Sequence, residues 1–343
     1  MPSIDDRIFK LFKRYDGVPP EKVHLEKLPG DASDRGFYRL RLPGEKSCII
    51  MEPARDVPAP EDPDALPYIN VLYHLDLCGV HVPKLHHYDP ETGLLLLEDL
   101  GETTLEDVVR EQEVPACLPL YRKAIDELLK IQLIGTRKRC EDCIAFQLSF
   151  DEEKLFQELI FFREYTLEGY LKRSFSTSKR HRLEEAFRQL SRIIAAEPQY
   201  LTHRDYHSRN LMVRDGRIGV IDFQDARLGP LQYDLVSLLR DSYVVLPGEV
   251  TAELIEYYLQ EKDRMEGTVT DRVRFREIFD IVSVQRNLKA AGTFGYMAVI
   301  KGKKRYLQYL PDTFRYVREN LEKCEMLYAL REVLLPDLSS AAP

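Results

Sequence analysis

The stretch LTHRDYHSRNLMV, Leu201–Val213, followed by IDFQDA, Ile221–Ala226, decides how this chain is read. It places Asp205 after a His-Arg pair, Asn210 five residues later, and Asp222 beyond RDGR, a turn between the strand-like runs LMV and IGVID. Those runs predict a tight hairpin, which folds Asp222 back over the loop that holds Asp205. A loop carboxylate can orient an attacking hydroxyl and accept its proton, while an amide oxygen and a second carboxylate can hold Mg²⁺ against nucleotide phosphates. Each residue alone would read as a turn cap or a strand end. In this order and spacing they point to phosphoryl transfer.

Outward from this stretch the chain divides in character. From Val23 to about Leu100 it is strand-rich: VHLEKL, FYRLRL and CIIMEP, separated by turns at PGDASDRG and PGEKS, predict two successive hairpins. YINVLYHLDLCG has helical spacing and stops at Gly79, and HVPKLHHYD and GLLLLEDLG follow as further strands. After Gly101 the segments LEDVVREQ, PLYRKAIDELLKIQLIG, DEEKLFQELIFFREYTLEGYL and KRHRLEEAFRQLSRIIAAE carry helical apolar stripes. Helices resume at YDLVSLLRDSY, and the tail DLSSAAP is expected to be disordered. The fold class is α+β: a small β-rich N-terminal lobe, residues 1–100, and a large, mainly helical C-terminal lobe, residues 101–343.

With 343 residues, 44% hydrophobic and 31% charged, the chain can build a sizeable core. Its net charge of -8 argues against tracking a phosphate backbone, so no nucleic-acid partner is expected and small molecules are. MPSIDDRIFKLFKRYDG never reaches the uninterrupted apolar run of a secretory leader, and no stretch is long enough to span a bilayer. The expectation is a cytoplasmic protein with no membrane partner. Six scattered cysteines fit reduced thiols, and the single C-x-x-C, Cys140 and Cys143, lacks a second pair or a His cluster for zinc.

HRDYHSRN followed by IDFQD resembles the catalytic loop and metal-binding Asp of the aminoglycoside phosphotransferase and choline kinase family. The resemblance spans about Val23 to Leu335. It implies a two-lobed protein-kinase-like fold with ATP in the cleft, Asp205 as catalytic base, and Asn210 and Asp222 as Mg²⁺ ligands. It further implies that His203 braces the loop, that Asp234 of GPLQYDL is a structural carboxylate, and that Glu98 and Leu100 meet adenine through main-chain atoms.

The chain departs from such kinases on its third strand, where the expected phosphate-gripping Lys falls at Met51 and the next helix offers no Glu partner. DASDRGFYRLRL is basic instead. Arg35 at its tip or Arg39, which shares a strand face with residues 37 and 41, is the candidate replacement cation. Ala32, Ser33 and Asp34 form the turn whose backbone N–H groups could approach phosphate.

GDASDRGFYRL, Met in place of Lys, IDFQDARLGPLQYDLVSLLRDSY and VQRNLKAAGTFGYM together look like the bacterial kinases that phosphorylate the anomeric hydroxyl of N-acetylmuramate and N-acetylglucosamine in cell-wall recycling. Charge agrees with that implication. An aminoglycoside is a polycation and wants an acidic pocket, whereas the acceptor-side candidates are Arg240, Arg286 and Lys289, with Gln224, Asp225, Gln285 and Asn287 for hydroxyls. Other hydroxyl acceptors, such as an aminoglycoside or choline, and a nucleotide-binding regulatory module without catalysis are the competing readings.

Overall fold

The structure, a computed structural model, describes residues 4–15, 23–28, 35–44, 46–53 and 60–339. Helix α1 (Ile4–Tyr15) precedes strands β1 (His24–Lys27), β2 (Gly36–Arg41) and β3 (Ser47–Glu52). Helix α2 (Pro67–Leu77) then leads to β4 (Leu85–Asp89) and β5 (Leu94–Glu98). These strands form one antiparallel sheet in the order β1-β2-β3-β5-β4.

The run of four leucines in β5 has a direct explanation. Side chains alternate across a strand, and here both faces are covered. Leu94 and Leu96 join Cys48, Ile50, Tyr38 and Leu40 beneath α1, which contributes Ile8, Leu11 and Phe12. Leu95 and Leu97 face the opposite way, into the main core with Met51 and the buried side of α2. The same alternation puts Phe37, Arg39 and Ile49 on the face that looks into the cleft.

The remaining elements are α3 (Leu105–Glu111), α4 (Val114–Leu129), α5 (Glu152–Phe162), α6 (Thr177–Ala195), β6 (Gln199–Thr202), β7 (Leu211–Arg214), β8 (Arg217–Val220), β9 (Arg227–Pro230), α7 (Gln232–Leu239), α8 (Gly248–Glu266), α9 (Arg272–Val299), α10 (Leu310–Lys323) and α11 (Tyr328–Ser339). The expected β7–β8 hairpin forms, with Arg214 opposite Arg217. A second pair, β6 with β9, brackets the functional loops and is not evident from strand patterning. Helices α4 and α5 continue into wider π-helical windings, Lys130–Gly135 and Arg163–Tyr170. The tail expectation is corrected for residues 337–339, since α11 runs to Ser339 with Leu334 and Leu338 buried and the Asp337 carboxylate paired to Lys179 at 2.8 Å; residues 340–343 lie outside the described residues.

The connection between the sheet and the helices is tied from both sides. Arg39, 6% exposed, donates to both oxygens of Asp99 at 2.7 and 3.1 Å and to the Gly101 carbonyl at 2.7 Å. From the helical side, Arg214 donates to the Asp99 carbonyl at 2.8 Å and the Val213 N–H to the Thr103 carbonyl at 2.8 Å. Gly101 has φ +102°, a left-handed backbone that other residues adopt only with strain. Thr104 then caps α3, exchanging bonds with Asp107.

Helix α9 is 28 residues long and buried through most of its length. Its GTFG segment lies against the second π-helical winding. A Cβ on Gly295 would meet Thr166 Oγ1 at 2.3 Å and the Tyr165 carbonyl at 2.7 Å.

Gly295→Ala should lower stability by about 1–3 kcal/mol, because α9 must back away from its neighbour; chemical denaturation reads this. Arg39→Met should lower it by about 3–5 kcal/mol at neutral pH, since it leaves a buried carboxylate unpaired. Burial pushes the Asp99 carboxyl up, but Arg39 and the Gly101 N–H outweigh burial and hold it below its ordinary value. A depressed folded pKa makes the pair's contribution complete above about pH 4 and lost as pH falls through the folded value. Wild type and Arg39→Met should therefore converge in stability toward acid pH.

Candidate active site

The loop after β6 is held by two buried carboxylates on and just beyond α7. Asp234 accepts the backbone N–H of His203 at 2.6 Å and of Arg204 at 2.9 Å. Asp241 accepts the Ser208 N–H at 2.9 Å and hydroxyl at 2.6 Å, while its other oxygen takes the Tyr243 N–H at 2.9 Å. Burial raises both carboxyls, Asp234 to about 7, against these N–H bonds. The clamp forces Arg204 to φ +82°, and Asp222 lies at φ +67°. Such backbone in non-glycine residues concentrates at functional sites.

His203 is 1% exposed. Its Nδ1 lies 3.3 Å from the Asp205 N–H and accepts it, so Nε2 carries the hydrogen and donates to the Ile221 carbonyl at 2.9 Å. Burial lowers its pKa and keeps the ring neutral. It joins the Asp205 loop to the Asp222 loop without facing the cleft. Arg204 runs beneath the site, with Asp225 at 3.2 Å and Glu158 at 3.8 Å.

Asp205 meets Lys289 of α9, whose Nζ donates to Oδ1 at 2.6 Å. Burial pushes the Asp205 carboxyl up, but Lys289, Arg204 and Arg286 prevail and hold it well below the usual carboxylate range. Asn210 donates through Nδ2 to the Asp205 carbonyl at 2.9 Å and toward Asp222 Oδ2 at 3.4 Å. Asp222 Oδ1 accepts from Arg35 at 3.0 Å and from Gln224 at 3.0 Å. Asn210 and Asp222 are thus neighbours, the Asn210 amide turning its nitrogen toward Asp222 Oδ2 while a cationic side chain lies on Oδ1. Among the described residues no group of three or more His, Cys, Asp or Glu side chains converges on a metal position. Mg²⁺ suits such a sparse set, because it retains waters and phosphate oxygens in its octahedral shell.

These residues line a cleft of about 640 Å³ between the sheet and the helices. Phe37, Ile49, Leu97, Glu98 and Leu100 make its apolar end. Tyr243, Phe294, Thr293, His207, Arg286 and Lys289 make the other. Burial lowers His207 to about 3, so it is a neutral ring in this wall. Arg209 stacks on Tyr243, its guanidinium carbon 3.6 Å from the ring centroid, and is anchored to Glu106 at 2.6 Å.

Several expected site residues lie on this cleft: Asp205, Asn210, Asp222, Arg35, Glu98, Leu100, Gln224, Asp225, Arg286 and Lys289. Ala32, Ser33 and Asp34 fall outside the described residues. Arg39 also lines the cleft, with its guanidinium bonded to Asp99 and the Gly101 carbonyl. Arg240 is corrected: it points away from the cleft, over the rings of Phe279 and Tyr316. Gln285 and Asn287 are fully buried, bonded to Glu158 and Ser283, and reach no acceptor. Arg204 and His207 lie within the motif but receive no role from it, and Asp241 and Tyr243 lie beyond it; all four are components of the site. None of the six cysteines is in a disulfide, and the Cys140–Cys143 pair has an exposed and a buried member.

Comparison with known proteins places this geometry. The model of a family described as the phosphotransferase enzyme family matches residues 24–268. An N-acetylmuramate/N-acetylglucosamine kinase of Neisseria meningitidis serogroup B is 32% identical over 338 residues, 96% of this chain and 97% of that protein. The protein of the same name from Pseudomonas putida is 31% identical over 340 residues, 99% of this chain and 95% of its own. Among solved structures, a choline/ethanolamine kinase family protein from Mesorhizobium loti superposes with TM-score 0.62 at 14% identity, covering 96% of this chain and 100% of that one. The streptomycin-ATP-APH(2")-IIa ternary complex gives 0.59 at 16% identity, with 95% and 99% covered. At such identities the structures speak for the fold, a two-lobed kinase-like architecture, while the family model spans well over half of the sequence. The chain belongs to the phosphotransferase enzyme family.

Proposed function

We propose that this protein is an ATP- and Mg²⁺-dependent sugar kinase that phosphorylates the anomeric hydroxyl of N-acetylmuramate or N-acetylglucosamine, acting in the cytoplasm in cell-wall recycling. The observation that carries the reading is the cationic wall, Lys289 and Arg286, beside Asp205 at the acceptor end of the cleft. A polycationic aminoglycoside would be repelled there, whereas a neutral or anionic sugar is not. Tyr243 and Phe294 offer ring faces for the C–H face of a pyranose. The names of the relatives from Neisseria and Pseudomonas agree with this acceptor. Among the described residues no helix is long and apolar enough to cross a membrane.

In this reading Asp205 accepts the proton of the acceptor hydroxyl as that oxygen bonds to the γ-phosphorus of ATP; the bond to the β,γ-bridging oxygen breaks, and its electron pair leaves on ADP. Asp205 is a weak base, held ionised by its neighbours. A hemiacetal hydroxyl suits it, because the ring oxygen makes that hydroxyl more acidic than an ordinary alcohol. His203 and Asp234 fix the loop, and Glu98 and Leu100 present main chain to adenine. Asn210 and Asp222 would hold Mg²⁺, whose part is to neutralise phosphate charge. Arg35, at the mouth of the phosphate end, is the remaining candidate for the absent strand lysine. Gln224 and Asp225 border the same floor and would take hydroxyls.

The test is ADP release with Mg²⁺-ATP and a panel of N-acetylmuramate, N-acetylglucosamine, choline and kanamycin. Turnover with the amino sugars alone is expected, reduced by about 10²–10⁴-fold in Asp205→Ala. Turnover of kanamycin or choline in preference would overturn the acceptor assignment. Titration calorimetry should show that Mg²⁺ tightens ATP binding in wild type and fails to do so in Asp222→Ala; an equal gain in both would remove Asp222 from the metal site.

A further inference from the structure

Third-strand Met51 leaves the nucleotide without a lysine, and Arg39 is locked to the hinge carboxylate. Two cations remain on the far wall. Arg286 and Lys289 are three residues apart on α9 and share one helical face. Both line the cleft.

Arg286 is 3% exposed, and its only hydrogen bond among the described residues runs from Nε to Ser237 Oγ at 3.0 Å. Its position is stabilised by the fields of Asp205, Asp234 and Asp241. The remaining donors of the guanidinium have no protein partner among the described residues and are not closed off, so they open to the cleft and are available to an acceptor there. Lys289 gives one of its three donors to Asp205 Oδ1 at 2.6 Å. The acceptor hydroxyl must bind that same carboxylate to lose its proton, so the ammonium lies beside the attacking oxygen.

We propose that Arg286 and Lys289 are catalytic residues that receive the transferring phosphoryl group from the acceptor side, neutralising the charge that a strand lysine would meet from the nucleotide side. This deepens the reading above and rests on Asp205 as the base. An oxyanion at this place has two sources, the phosphoryl group and an acceptor carboxylate. Position favours the phosphoryl group: its phosphorus becomes directly bonded to the oxygen docked at Asp205, whereas a carboxylate on the muramate side chain projects from C3, across the ring from that oxygen. The step itself is unchanged. Lys289 and Arg286 donate hydrogen bonds to phosphoryl oxygens as the bond to the bridging oxygen lengthens, and neither gives up a proton.

Removing a donor aimed at developing charge lowers kcat by about 10²–10³-fold. Lys289→Met should show that loss with both N-acetylmuramate and N-acetylglucosamine, with ADP affinity near wild type. Lys289→Arg, which keeps a cation, should recover part of the loss. The decisive binding measurement uses ADP with aluminium fluoride, a mimic of the phosphoryl group in flight, together with N-acetylglucosamine. Its affinity should fall about 100-fold in Lys289→Met while ADP alone is unaffected. Equal affinity for the mimic in the two proteins would overturn the proposal, as would a defect confined to the KM for N-acetylmuramate, which would assign the cations to the acceptor carboxylate. Should wild type turn over neither sugar, the acceptor reading fails on its own. Slow ATP hydrolysis, with water as acceptor, then decides the present point: reduced phosphate release in Lys289→Met supports it, and unchanged release refutes it.

Discussion

Everything in the cleft depends on two carboxylates buried under it. Asp234 and Asp241 accept main-chain N–H groups at both ends of the loop 203–208 and contribute nothing to its surface. Burying a carboxylate is unfavourable, as the raised Asp234 shows, and only converging donors offset it. The converging donors are the loop backbone itself, so the loop takes the one shape that satisfies both acids. That shape includes the left-handed turn at Arg204, which aims Asp205 into the cleft and directs Arg204 beneath it toward Asp225 and Glu158. Rigidity of this kind matters to phosphoryl transfer, where catalysis is mostly positioning and charge.

Helix α9 is the second determinant. Because Gly295 lets it press against the winding at Tyr165 and Thr166, one face of the helix forms the cleft wall while the others are in the core. Residues 286, 289, 290, 293 and 294 fall on the cleft. Residues 285, 287 and 288 do not, and are buried elsewhere. The α9 side of the cleft is therefore made by a single helical stripe, separate from the loop that carries Asp205.

That stripe also shows what was legible from sequence and what was not. Alternation in β2, β3 and β5, turn residues between them and apolar stripes on the long helices were enough for two lobes of opposite character, because those signals are local. The motif loop was legible for the same reason. The 3.6-residue period sets Asn287 far from Lys289, but it leaves Gln285 beside Lys289 at i,i+4, so periodicity alone does not say which of those two faces the cleft. Other features are long-range. Arg39 lies on the expected strand face, but its partner Asp99 is 60 residues away, and nothing local distinguishes a hinge anchor from a phosphate ligand. Arg240 turned outward because aromatic rings of α9 and α10 wait there. Pairing of β6 with β9 joins short strands, one ending in Pro230, whose pattern suggests only a turn. In the tail, DLSSAAP hides Leu338, which with Leu334 makes a four-residue apolar repeat.

The bridge from Arg35 to Asp222 links the sheet side of the cleft to the helical side. Its guanidinium meets that carboxylate at 3.0 Å, so the resting protein supplies the counter-ion of Asp222 itself. The pair spans residues 187 apart in the chain, and it draws the first turn of the sheet onto the loop beyond the β7–β8 hairpin. A ligand that reaches Asp222 therefore meets a carboxylate already in balance, and the free energy of its binding is a difference between two paired states, never the cost of exposing a bare charge.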